Sequence, residues 1–298
     1  MSSFTSIDLS TLPPPSIVEA LNFETIFSAM LADLIARDPV FTALVESDPA
    51  YKILEVAAYR ELLIRQRIND AARGVMLAYA IGSDLDNLAA LFGVTRRVID
   101  AGDALASPPR PAVNEPDKEL RFRTQLSLEG LSTAGPEGAY LFWALSADPG
   151  VLDVSAVSPT PGNVVVSVMS RVGNGAASPA LVAAVSAVLL NNEVRPLTDN
   201  VTVQSAAIVN FVVTGTIYTY PGPDSSVVLA QSRAALDVYL ETVRGVGRDI
   251  SVSGIYAALH QPGVQRVVLT APTVDLVITP SQAGYCTAKT ITYVGINE

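Results

Sequence analysis

The sequence predicts an α+β fold, with an N-terminal long-helix region followed by two small α/β units with mixed sheets. Three observations carry this. Up to residue 99 the apolar residues recur at helical spacing; residues 100–116, DAGDALASPPRPAVNEP, hold four prolines and little periodicity; beyond Gly130, helical runs alternate with β-branched runs. The expected organisation is a helical region over 1–99, a proline-rich linker over 100–116, a middle α/β domain over 117–206 and a C-terminal α/β domain over 207–298.

In the helical region, Pro13-Pro14-Pro15 is expected to be extended. The run from Ser16 to Asp38 then sets Phe23, Ile26, Phe27, Met30, Leu31 and Leu34 on one side of a helix. A second helix opens at Ser47-Asp48-Pro49, a capping residue followed by proline in the first turn. Its pattern continues to Gly82, with Leu54, Ala58, Leu62, Arg65, Ile68, Ala72, Val75 and Tyr79 stepping by fours and threes. A helix of about 30 residues is roughly 45 Å long, more than a small domain covers. Those eight residues are therefore the candidate interface with another chain. The competing expectation is a break near Gly74, with both pieces folded on their own domain. A short helix from Ser83 should stop at Gly93.

Past the linker, DKELRFRTQLSL predicts a helix, with Leu120, Phe122 and Leu126 apolar and Arg121 and Arg123 charged. AYLFWALSA predicts another, ending at Asp148-Pro149-Gly150. VLDVSAVSP and NVVVSVMS read as strands joined by a turn at Pro159-Thr160-Pro161-Gly162; PALVAAVSAVLLNN reads as a helix and NVTVQSAAI as a strand. The last unit has a strand NFVVTGTIYTY, helices in SSVVLAQSRAALDVYLETVR and SVSGIYAALH, then strands GVQRVVLT and KTITYVGI. Both units pass from helix to strand through Pro-Gly-Val with a second valine three residues on, at Val151 and Val154 and at Val264 and Val267. This suggests two related units.

Composition narrows the function. Hydrophobic residues make up 49% of the 298 and charged ones 16%, so much of the chain must be buried against itself or partners. The net charge of −10, without a dense basic cluster, argues against nucleic acid. Apolar segments such as AAIVNFVVTGTIY are interrupted too soon to cross a membrane, and MSSFTSIDLSTLPPPS lacks the basic start and apolar core of a signal peptide. With one cysteine, Cys286, no internal disulfide forms, and the expected place of synthesis is the reducing cytoplasm.

The motifs that could carry chemistry fail on their own residues. Gly130 and Gly135 in GLSTAGPEGAY have the glycine spacing of a phosphate loop, yet Pro136 stands where lysine is needed and Glu137 where the hydroxyl is needed. Proline in a first turn and an acid at the positive end of the helix dipole describe a helix start. His260, the one histidine, falls at a helix end, and Cys286 has no histidine or cysteine near it in sequence. Asp84 and Asp86 resemble the start of a calcium loop, but Leu88 takes its fifth position; Ser83 and Asp84 fit a helix cap and first-turn acid. No catalytic, cofactor or metal residues are expected.

The segment GSDLDNLAALFGVTR from Gly82, the stretch from Asp117 through NVVVSVM, RPLTDNVTV from Arg195 and HQPGVQRVVLTAPTVDL from His260 resemble, in order, the baseplate J-like family of contractile tails. The resemblance runs from about residue 20 to the end. It implies a structural wedge protein of phage baseplates or phage-derived bacteriocins, present as two copies per wedge in different conformations. The implied partners are a tail protein I-type wedge protein reached through a helical bundle, the sheath initiator, the hub and spike, and neighbouring wedges in a six-fold ring. No catalytic motif comes with the family. The expectation from a different class is a soluble enzyme or sensor that binds a small molecule between its α/β units.

Overall fold

The computed structural model describes residues 17–132, 134–222 and 224–296, together with Ile7, Leu9, Leu12, Pro13 and Pro15. The expectation for Pro14, the rest of the N-terminal segment and Thr133 lies outside the described residues. The chain forms two compact units. One holds the described residues up to Arg96 and Pro116–Thr124; the other holds Arg97–Glu115 and the described chain from Gln125 onward.

The helical unit begins with α1, Phe23–Arg37, which starts where the Asn22 side chain accepts the Thr25 N–H at 3.2 Å. Its apolar stripe lies on α2, Pro49–Gly74, in a cluster of Phe23, Ile26, Phe27, Met30 and Leu31 with Tyr51, Leu54, Ala58 and Leu62. Ala58 is fully buried, its small side chain letting the two helices approach, and Phe27 meets the Tyr51 ring with centroids 4.8 Å apart. Asp48 takes the cap position of α2, but its carboxylate turns back to the Val45 N–H at 3.0 Å.

The expected helix to Gly82 is corrected to one ending at Gly74. A Cβ at residue 74 would stand 2.9 Å from Asp84 Oδ2, so glycine there lets the first turn of α3, Gly82–Ala90, close on the end of α2. Residue 81 is the cap position of α3, which has no side-chain cap, in place of the cap expected from Ser83. Helix α4, Asp117–Leu126, carries the arginines read from the sequence only as charges. Arg121 donates to the carbonyls of Leu77 and Ala80, each at 2.7 Å, and the buried Arg123 donates to that of Thr95 at 2.8 Å. These carbonyls follow the end of α2, so the guanidinium groups hold the short turns in place.

Residues 97–115 contain an antiparallel ribbon, β1 (Val98–Asp100) and β2 (Val113–Asn114), where the sequence led us to expect an irregular, flexible stretch. Asp103 and Arg110 exchange two backbone hydrogen bonds of 2.8 Å. Gly102 makes the ribbon possible: its φ is +69°, and a Cβ would lie 2.4 Å from the Arg110 carbonyl oxygen.

The sheet unit follows the expected order. Helix α5, Glu137–Ala147, leads into β3 (Val151–Thr160) and β4 (Asn163–Ser170), which pair antiparallel. Helix α6, Pro179–Leu189, then crosses to β5 (Asn200–Ser205), parallel to β4. The Ser178 hydroxyl caps α6, and Pro179 follows in its first turn. The second sheet has β6 (Ala207–Thr219) in the centre, antiparallel to β7 (Val264–Ala271) and parallel to β8 (Gln282–Ile296). Along β6, Phe211, Val213, Gly215, Ile217 and Thr219 alternate inward. Helices α7 (Ser225–Val243) and α8 (Val252–Leu259) add Val228, Leu236, Ile255 and Leu259 to that core.

Both Pro-Gly-Val junctions launch a strand on a buried valine, Val151 and Val264, and Val154 and Val267 are buried in turn. Strand β8 is longer than expected, because SQAGYC pairs along β6 with Phe211 opposite Cys286. Only Ala206 separates β5 from β6, and it is buried with Met169, Val246 and Ala283 in a small core shared by the two sheets. Asp153 adds a polar tie there, accepting the Val246 N–H at 3.0 Å and facing Arg248 at 3.5 Å.

Candidate partner interface

The eight residues expected to form an interface do not share one environment. Leu54, Ala58 and Leu62 face α1 of the same chain. Farther along, Arg65 pairs with Glu61 at 2.7 Å and Glu19 at 3.0 Å. Beside it the buried Asn69 exchanges two hydrogen bonds, 3.0 and 2.9 Å, with the Glu19 backbone. Ala72 is half-buried, Ile68 and Val75 are exposed, and the Tyr79 hydroxyl donates to the Leu12 carbonyl at 2.7 Å. With α2 ending at Gly74, Val75 and Tyr79 sit in the turn that follows it. The chain therefore uses most of this stripe to hold its own segments.

About half a turn around α2 lies a second apolar face. Ile53 is 69% exposed, Val56 63% and Ile64 62%, with Leu63, Tyr59 and Ile68 also exposed beside them. The sequence reading missed this face although it carried a usable signal: Ile53, Val56, Arg60, Leu63 and Arg67 also step by threes and fours. Helical spacing alone does not say which of two apolar stripes meets the chain's own α1.

The other flagged features are structural in their surroundings. Pro136 occupies the cap position of α5 and Glu137 its first turn; Trp143 Nε1 donates to the Gly130 carbonyl at 3.1 Å. The Tyr140 hydroxyl donates to Asp199 at 2.6 Å, and burial together with that carboxylate pushes the phenol up from its ordinary value. The loop is thereby packed against the segment before β5. Asp86 pairs with Arg96 at 2.7 Å; Arg96 also holds Asp117 at 2.7 Å, whose carboxylate accepts the Gly82 N–H at 3.1 Å. His260 is exposed at the end of α8. Burial raises the Cys286 thiol, which donates to the Ala288 carbonyl at 3.3 Å.

Among the described residues, no three His, Cys, Asp or Glu side chains are placed to hold a metal ion, and no helix is long and apolar enough to cross a membrane. A cleft of about 260 Å³ lies between α7 and the second sheet, with Phe211, Leu240, Ile250 and Cys286 in its lining. Lys289 and Asp237, which pair with each other, also line it.

One helical module and two mixed-sheet modules, in this order, define a modular α+β protein. Family models match all three: the baseplate J-like N-terminal domain over residues 46–103, the central domain over 132–205 and the C-terminal domain over 209–293. The chain belongs to the baseplate J-like family. It is 47% identical to "Baseplate protein J" of Escherichia phage P2, over 98% of this chain and 99% of that one. Among solved structures it is similar to a chain of the anti-feeding prophage (AFP) baseplate, a 6-fold symmetrised cryo-EM structure. The identity is 13%, the TM-score 0.33, and the match covers 91% of this chain and 53% of the other, so the present chain spans about half that protein's length.

Proposed function

We propose that this protein is a structural wedge component of a contractile-tail baseplate, present in two copies per wedge, that forms the ring around the hub and helps transmit the trigger for sheath contraction. The observation that carries this reading is the end-to-end similarity to a phage protein named for the baseplate. The exposed face of α2 supports it, since isolated globular proteins seldom leave so many large apolar side chains on one helix. The partners in this reading are a second copy of the chain, a tail protein I-type wedge protein, the sheath initiator, the hub and spike, and neighbouring wedges. The particle, phage or headless, is assembled in the host cytoplasm.

In this mechanism the proline-rich residues 100–116, which leave the helical unit after Arg96 and return to it at Pro116, take different arrangements in the two copies, and the interfaces rearrange when receptor-binding fibres engage. A reconstruction of the assembled baseplate before and after contraction tests it. Identical arrangements in both copies and both states would remove the mechanism.

The interface is tested by the full chain carrying Ile53→Asp and Ile64→Asp, co-expressed with the other tail genes. We expect soluble, folded protein and no baseplates by negative-stain microscopy; baseplates at the unsubstituted level would sink the assignment of this face. The pair Leu62→Asp and Ile68→Asp, suggested by the sequence alone, is less clean, because Leu62 packs on α1. The alternative is a soluble enzyme or sensor that holds a small molecule between its α/β units; the cleft beneath α7 lies within the last unit instead. Native mass spectrometry separates the two: a monodisperse chain with a retained metabolite supports a sensor, and a stable heteromeric complex supports the wedge.

A further inference from the structure

We infer that the outer face of α2 is built for a partner helix that brings carboxylates two turns apart, set within an apolar seam, and that a second copy of α2 is not that helix. This rests on the baseplate reading and narrows it to the chemistry of one contact. The exposed face has the seven-residue repeat of a coiled-coil seam: Ile53, Arg60 and Arg67 fall at one core position, and Val56, Leu63 and Asp70 at the other. Ile64 flanks the seam on one side and Tyr59 on the other.

Arg60 and Arg67 distinguish this face from an ordinary apolar stripe. Both are exposed. The other charged groups along this stretch of α2 are engaged: Arg65 with Glu61 and Glu19, Lys52 with Glu55 at 2.9 Å, and Asp70 with Gln66 at 2.7 Å. Covering Ile53, Val56, Leu63 and Ile64 would draw both guanidinium groups out of water, which is costly unless each meets a carboxylate.

A second α2 supplies a carboxylate only through Asp70, in an antiparallel register that sets Arg60 against Asp70 but leaves Arg67 against Leu63 and Ile53 beyond the end of the partner helix. Parallel pairing sets Arg60 against Arg60 and Arg67 against Arg67. Antiparallel registers that keep Ile53 and Val56 over the partner helix oppose the arginines with apolar residues, as when Arg60 meets Leu63 and Arg67 meets Val56. A helix with Asp or Glu at two positions seven residues apart, and aliphatic side chains between them, satisfies both groups. Planar guanidinium groups suit such carboxylate contacts.

The test uses two synthetic helical peptides with the same leucine and isoleucine seam. One carries Glu and the other Lys at two positions seven residues apart. Fluorescence anisotropy with the full chain should show the Glu peptide binding at least about tenfold tighter, a gap that shrinks as salt rises. The full chain carrying R60E and R67E should reverse the preference, with unchanged circular dichroism and thermal midpoint, because both side chains are exposed. Equal binding of the two peptides, or no reversal, overturns the inference. So does a 1:1 self-complex through α2 in sedimentation, abolished by Ile64→Asp.

In co-expressed tails, R60E/R67E should lower incorporation into baseplates about tenfold or more. If the unsubstituted chain fails to enter baseplates, the proposed function falls. If it enters and R60E/R67E enters equally well, only the charge inference falls.

Discussion

The helical unit and the sheet unit spend their apolar residues differently. Around β6, Ile217, Leu236, Ile250, Ile255, Leu259 and Ile291 are almost fully enclosed by α7, α8 and the neighbouring strands. In the helical unit, α1 covers one side of α2 through Ile26, Phe27 and Ala58, while Ile53, Val56, Leu63 and Ile64 face outward. A sheet covered by two helices completes its core within one chain; a two-helix pair leaves one side of each cylinder uncovered. The contrast separates the residues that complete a core within the chain from those that α2 leaves open to solvent.

Leu259→Ala presses hardest on the contrast. It opens a cavity in the enclosed core and should cost about 4 kcal/mol, moving the denaturant midpoint followed by Trp143 fluorescence. Trp143 is the chain's one tryptophan and lies in the sheet unit. Phe27→Ala should cost about 3 kcal/mol, because it empties the contact between α1 and Tyr51. Hydrogen exchange should then rise in α1 and α2 while the Trp143 transition stays in place. A shared shift of both signals would break the contrast, since the two units would then unfold as one.

Asp117→Asn should cost about 1 kcal/mol, because the carboxylate accepts from Gly82 and pairs with Arg96. Burial alone would raise the pKa of this carboxyl, but the Gly82 hydrogen bond and the Arg96 charge outweigh it and hold the group below its ordinary 3.8. A depressed carboxylate contributes stability above its unfolded pKa and loses it as pH falls through the folded value. The helical unit should therefore weaken as pH drops below 3.8, and the Asn variant should lack that part of the acid dependence. Acid unfolding followed by circular dichroism checks this; identical acid limbs would remove Asp117 from the account. Ile64→Ser should be the smallest effect, within about 0.5 kcal/mol by thermal unfolding, since its side chain is largely in water. A larger loss would mean that the outer face belongs to the chain's own core.

The order of helices and strands was legible because each element brings local signals: proline after the Ser178 cap, Pro-Gly-Val at two strand starts, and alternation along β6. What the sequence concealed depends on distant partners. The end of α2 at Gly74, which the sequence offered only as the competing expectation, turns on Asp84 approaching Gly74, and Arg121 and Arg123 find carbonyls at residues 77, 80 and 95. SQAGYC becomes strand through its register with β6, which no local pattern encodes. For the candidate interface, Leu54, Ala58 and Leu62 scan as well as Ile53, Val56 and Leu63. Periodicity reveals that a helix has an apolar face and is silent on who covers it. Family likeness reached further into function than residue patterns did, because architectural contacts leave no compact chemical signature.

Ala206 gives the sheet unit a mechanical property. A connection of one residue offers only two soft torsions, and here that residue is enclosed by Met169, Val246 and Ala283, with Asp153 bonded across the same joint. A load applied at the outer end of β8 has no slack to take up before it reaches β5. The two sheets are therefore expected to shift together rather than swing independently about Ala206.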